Sequence, residues 1–223
     1  MKLHFVLLMG VLTAGMARSE NKQDVPIPSA DVKCVPAAQR GGQELGCYVL
    51  ASQELGKLPD TRLYWHLHVY PTQAAAEAAK GKLGTVVESF GRVWLFAVAG
   101  ASWNPTGGER ISRVGPLPIA HGGSFTAEYM EATFMPGMKS RAHTHPGPEA
   151  WYVIEGEQCL ETPGHKQVMR QGEGGFVPEG PPMVLWGTGK SKRQSLVLIL
   201  HDTTRPMTEP APDYTPAGLC APG

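Results

Sequence analysis

The chain has 223 residues, with 20 Lys plus Arg against 20 Asp plus Glu, for a formal net charge of zero. That length suffices for one domain with a good core or two small ones. The even charge balance, without a long basic run, argues against nucleic acid and against an anionic membrane surface as partners.

The N-terminus has the character of a secretory signal over residues 1–17: Lys2, an apolar stretch over residues 5–14, then Gly15-Met16-Ala17 before Arg18. Small residues at Gly15 and Ala17 suit cleavage, and the apolar run is too short for a bilayer span. An uncleaved anchor is the alternative. Export followed by removal of the signal leaves a periplasmic or secreted protein with no membrane partner. Residues 18–42 and a Pro-rich tail over residues 205–223 are expected to be flexible, being rich in Pro, Thr and small or polar residues.

Four cysteines, Cys34, Cys47, Cys159 and Cys220, make an even count behind a signal, which points to disulfides in an oxidising compartment. Three pairings are possible. Loop length and locality favour Cys34 with Cys47 and Cys159 with Cys220; free buried thiols are the alternative.

Residues 43–108 suggest a small α+β extension. Residues 62–70 alternate as a strand, with Leu63, Trp65, Leu67 and Val69 on one face and Tyr64, His66, His68 and Tyr70 on the other. Pro71 ends it, and Thr72 caps a helix over residues 73–80 that Gly81 and Gly84 close. Strands over 85–90 and 93–99 follow, with a tight turn at Gly91-Arg92. The result is a β-α-β-β unit packed against whatever follows. His66 and His68 form a His-x-His pair that could line a pocket or a second metal site; a half-exposed polar strand face is the expectation.

From residue 109 to 204 the pattern is all β, with strands over 125–135, 150–160, 167–170, 175–177, 183–186 and 196–201 between Gly and Pro turns. Short antiparallel strands of this kind suit a double-sheet jelly roll. Within it, His143 and His145 stand at i and i+2, and Glu149 opens the next strand after the turn Pro146-Gly147-Pro148. Residues i and i+2 of a strand share a face, so two imidazoles and a carboxylate can converge as a facial site for a divalent metal.

The spacing Gly137-x5-His143-x-His145-x3-Glu149-x6-Gly156 resembles the first motif of the cupin superfamily at all its fixed positions. Gly172, Pro178 and Gly180 are in register with the second motif, where Met183 replaces the last metal-binding histidine and Gly187 replaces asparagine. The resemblance implies a mainly β fold with a cupin jelly-roll barrel, which in this chain follows the small β-α-β-β extension read from the residue pattern. It implies one divalent metal ion (Mn, Fe, Zn, Ni or Cu) at His143, His145 and Glu149, and a homodimer as a plausible assembly. Met183 reads as a polarizable wall rather than a strong ligand. Trp151, Val153, Phe176 and Trp186 are the other candidates to line the pocket, although the same residues would serve simply to fill a barrel.

His121 could reach the barrel mouth from its loop, whereas His165 and His201 read as structural. Glu155 and Glu157 belong to the rim, and Glu173 and Glu179 to turns. No separate general base stands out. Because the fold hosts many chemistries, three functions remain open: a metal-dependent enzyme acting on a small organic molecule, a non-catalytic small-ligand binder or sensor, and a structural barrel with a decayed site.

Overall fold

The computed structural model describes residues 31–120 and 122–221. The signal-like segment therefore lies outside the described residues, as does His121. Two sheets form a barrel. One has six strands in the order Gly174–Val177, Glu149–Glu155, Arg193–Asp202, Ser124–Phe134, Gly46–Lys57 and Cys34–Pro36. The other has five, in the order Asp31–Val32, Lys139–Ser140, Val184–Thr188, Glu157–Thr162 and His165–Arg170. The inward residues of both sheets make one apolar cluster, with Met130, Ala132, Phe134, Trp151, Val153, Leu160, Met169, Met183, Val197 and Ile199 at its heart. This is the expected jelly roll.

A four-stranded sheet, in the order Gly84–Ser89, Arg92–Gly100, Leu63–Tyr70 and Glu109–Val114, packs on the outer face of the six-stranded sheet. Trp65, Leu67 and Phe96 meet Phe125, Tyr129, Leu196 and Leu198 across that interface. The helix Gln73–Ala79 follows Thr72, whose side chain accepts from the Ala75 N–H at 3.2 Å. The β-α-β-β unit is thus present, with two exchanges at its edges. Gly46–Lys57, expected in the extension, pairs with Ser124–Phe134 in the barrel. Glu109–Val114, expected in the barrel, completes the extension's sheet beside Leu63–Tyr70. The hairpin turn lies at Phe90-Gly91, both with positive φ (50° and 70°), not at Gly91-Arg92.

The expected strand over 150–160 divides at Gly156 into two, one in each sheet. A side chain there would strike the Lys192 carbonyl, and the residue's φ is +73°, so glycine lets the chain pass from one sheet to the other.

Two stretches expected to be flexible are instead structured. Residues 31–36 contribute a strand to each barrel sheet. In the tail, Glu209–Pro210 pairs with His143–Thr144, and Gly218 and Cys220 donate their N–H groups to the buried Glu161 carboxylate at 2.9 and 3.3 Å. Both disulfides are the expected ones, Cys34 with Cys47 and Cys159 with Cys220. Among the described residues no helix is long and apolar enough to cross a membrane.

Candidate metal centre

His143, His145 and Glu149 come together at one end of the barrel, with one ligand atom from each lying within 4.8 Å of the others. Three local devices place them. His143 is bridged to Met183 by two backbone hydrogen bonds, 3.1 Å from its own N–H and 2.8 Å to its carbonyl. The Pro146-Gly147-Pro148 turn then folds back so tightly that a side chain on Gly147 would collide with the Leu200 carbonyl. Glu149 emerges inside the six-stranded sheet, between Val177 and Ile199. The two imidazoles meet edge to face, with centroids 4.7 Å apart.

The remaining ring nitrogens have acceptors that spacing alone could not reveal. His143 Nδ1 lies 2.7 Å from the Arg141 carbonyl, and His145 Nδ1 lies 2.5 Å from the Met207 carbonyl in the tail. A carbonyl can only accept, so both rings carry their proton on Nδ1 when neutral and present a bare Nε2 lone pair. That is the arrangement a metal-binding histidine requires. His145 Nε2 is buried without a hydrogen-bond partner and sits 3.4 Å from a Glu149 carboxylate oxygen. In the neutral state two acceptors therefore face each other with no proton between them. A cation or a proton resolves that clash, so the residues fit a divalent metal.

Charge states agree with this. Burial, with His145 beside it, holds the His143 imidazole below its ordinary pKa and so favours the neutral ligand. Burial alone would raise Glu149, but His145, His143 and Arg193 outweigh it and keep the carboxyl below its usual range.

Of the other pocket candidates, the structure brings some to the site and not others. Met183 is fully buried and directly opposite His143. Paired residues on neighbouring strands share a face, so its thioether belongs to the interior wall. Trp151 and Val153 also lie in the interior cluster. Phe176 and Trp186 do not. Phe176 alternates to the outer face and packs against the extension, and Trp186 lies under the tail beside Cys159 and Cys220. Each follows a residue of opposite facing, and one step along a strand reverses the side. Gly187, at the second departure from the motif, has a steric reason. A Cβ there would come within 2.7 Å of the Met135 carbonyl and 2.9 Å of Phe134 Cβ.

His201, read from sequence as structural, belongs to the barrel mouth. Glu128 pairs with Ile199, and Ile199 pairs with Glu149, so all three face the interior, with His201 one inward step beyond Ile199. His201 Nε2 lies 3.7 Å from Glu128, whose carboxylate also accepts from Ser52 Oγ at 2.8 Å. Burial lowers the His201 pKa, but the Glu128 carboxylate and the Asp202 carbonyl outweigh it and leave the imidazole above its ordinary value. The structure therefore sets a carboxylate beside an imidazole near the level of the candidate ligands, which the 73-position separation of Glu128 and His201 concealed in the sequence.

His66 and His68 are not half exposed. At 0% and 2% exposure they are fully covered, with Trp103 set edge-on against both rings. His66 Nε2 meets the Gly100 carbonyl at 3.0 Å, while both His68 nitrogens lack partners. No carboxylate or cysteine joins them in a metal-holding group among the described residues. His165 is exposed on its hairpin. Three surface cavities lie near Leu117, near Cys220 and near Arg92, and none is lined by a ligand residue.

The cupin domain family matches residues 130–191, a stretch that contains all three candidate ligands and Met183. The chain carries a cupin barrel. No curated protein matches the chain. Among solved structures, a cupin-like protein from Thermotoga maritima aligns at 13% identity with a TM-score of 0.35, over 40% of this chain and 77% of that one. The DMSP lyase DddQ from Ruegeria pomeroyi aligns at 21% and 0.34, over 38% of this chain and 43% of the lyase. An oxalate oxidase aligns at 23% and 0.34, over 39% and 46%. The matched stretch of the cupin spans less than half of the lyase and of the oxidase.

Proposed function

We propose that this cupin is an exported, metal-dependent enzyme acting on a small organic molecule, with one divalent ion (Mn, Fe, Zn, Ni or Cu) held by His143 Nε2, His145 Nε2 and the Glu149 carboxylate. The observation that carries this is the buried lone pair of His145 Nε2 facing Glu149 while its Nδ1 is committed to Met207. Three protein ligands leave coordination positions for water and substrate. A bound ion there would polarise a chelating oxygen of the substrate. Glu128 orients His201 and keeps its proton available at the mouth, and Met183 fills the wall where a fourth imidazole would stand. Two disulfides support an oxidising compartment, and the signal-like residues 1–17 support export. The mature chain then begins near Arg18, which N-terminal sequencing of exported protein checks.

Elemental analysis of protein purified from the exported fraction tests the metal. One equivalent of a divalent ion is expected, and His143→Ala combined with His145→Ala should abolish it. If that double variant retains the parent's metal, the site is elsewhere. Turnover of a small-molecule ligand by the metal-loaded protein separates the enzyme from a binding or sensing cupin. A pocket indifferent to metal and ligand would mark a structural barrel.

A further inference from the structure

Arg193 is the first residue of Arg193–Asp202, and its side chain is fully buried. Inward residues alternate along this strand: Val197 and Ile199 belong to the barrel interior, whereas Leu196 and Leu198 face the extension. Arg193 and Ser195 therefore point inward. The guanidinium lies over the Phe134 ring, 4.3 Å from its centroid, and one Nη donates to Ser195 Oγ. Nε and the other Nη have no partner. Among the described residues no acidic side chain lies within ion-pair distance of it. The nearest influence of that kind is Glu149, which acts on it only at longer range and which the metal would neutralise.

A second unsatisfied polar group lies at the same level of the barrel. Gln158 is fully buried, and its Oε1 lacks a partner while its Nε2 approaches the Met169 sulfur at 3.9 Å. Gln158 pairs with Gly187, Gly187 abuts Phe134, and Phe134 pairs with Arg193. Because an amide carries both a carbonyl oxygen and an NH2 group, Gln158 can offer a donor or an acceptor here. At this level the interior holds Met169, paired with Gln158, and Met138, whose carbonyl accepts from the Gly187 N–H, flexible thioethers that yield to an incoming group more readily than branched side chains.

We propose that Arg193, with Ser195 and Gln158, is an anion subsite at the inner end of the barrel, and that the small molecule reaching the metal carries a carboxylate which this subsite holds. A desolvated guanidinium with two unpartnered nitrogens is costly to keep, and its planar fork matches a carboxylate in two parallel bonds. The assignment rests on the proposed metal site only for the position of the molecule's other end. Arg193 is then a specificity residue that selects acids over their neutral analogues.

The test is calorimetric titration of the full mature chain with acetate, acetamide and inorganic phosphate, with metal content measured on the same samples. Acetate should bind and acetamide should not. Arg193→Met should weaken acetate by about tenfold to a hundredfold, leave the metal content unchanged, and melt no lower than the parent without ligand, because it removes an unpaired buried charge. Arg193→Lys, which keeps the charge and loses the fork, should fall between the two. The proposal is overturned if the parent binds acetamide as well as acetate, if phosphate alone binds, or if either variant binds acetate as tightly as the parent. Acetate binding that depends on Arg193 in protein without metal would uphold the subsite and refute the metal site. Bound metal with no preference for acetate would do the reverse.

Discussion

The Met207 carbonyl, 2.5 Å from His145 Nδ1, makes the C-terminal tail part of the candidate metal centre, and two truncations test that contribution. In a chain ending at Ala211, the pairing of Glu209–Pro210 with His143–Thr144 and the His145 Nδ1 bond to Met207 survive. In a chain ending at Pro206 both are lost. Each truncation also removes Cys220, so each should carry Cys159→Ser to avoid a stray thiol. The disulfide joins residues 61 positions apart, and its loss costs both chains about 4 kcal/mol in the chain-entropy model. That term cancels in the comparison. What differs at the site is the Met207 bond to the His145 ring, together with the two-residue strand pairing beside His143 and the Ala211 N–H bond to the Ala142 carbonyl. Leaving the buried ring donor unsatisfied costs about 1–3 kcal/mol, and losing the partner that orients a metal-binding histidine typically weakens metal affinity about 10- to 100-fold. The exposed Arg205–Glu209 ion pair is also lost but adds at most about 1 kcal/mol to stability. Competition with a chelator of known affinity measures the metal constant for each chain. The chain ending at Pro206 should bind metal at least tenfold more weakly than the chain ending at Ala211. Equal affinities would show that the Met207 carbonyl does not hold His145 and that the tail is an accessory of stability alone.

Met183→His places an imidazole directly opposite His143 and should tighten Zn(II) or Mn(II) measured by the same competition; unchanged affinity for both would mean the side chain at 183 does not reach the metal. Glu128→Gln removes the carboxylate that raises His201, so an NMR titration should show the His201 pKa falling. No movement would remove the acid–base pair from the mechanism. His68 has its pKa lowered to about 4, mainly by burial and then by His66 and Arg110. A depressed pKa contributes stability that is present above the unfolded value near 6.5 and is lost as pH falls toward 4. The loss over that window is about 3 kcal/mol. Thermal melts between pH 7 and pH 4 should show this loss, and His68→Leu should remove much of it; a parent and variant with the same acid sensitivity would refute the assignment.

Local periodicity was enough to bring the three candidate metal ligands together. His143 and His145 share a face because side chains alternate along a strand, and Glu149 returns to them because Pro146-Gly147-Pro148 can only turn. The Thr72 cap and the short Cys34–Cys47 loop were legible for the same reason, since each depends on neighbours in the chain. Facing at a strand of uncertain register was not legible. Phe176 and Trp186 lie one residue away from inward positions, and only the pairing of whole strands decides which side a residue takes. Burial of His66 and His68 depends on Trp103 folding over a face that alternation alone would leave in water. The acceptors at Arg141 and Met207, the Glu128–His201 pair and the unpaired guanidinium of Arg193 depend on contacts across tens of residues, several of them through the backbone. A carbonyl carries no side-chain signature in a sequence. The tail illustrates the limit most clearly. Its composition suggests a disordered end, yet a disulfide, a two-residue strand pairing and the Glu161 carboxylate bind it to the barrel, because tertiary contacts satisfy backbone groups that the segment could not satisfy by itself.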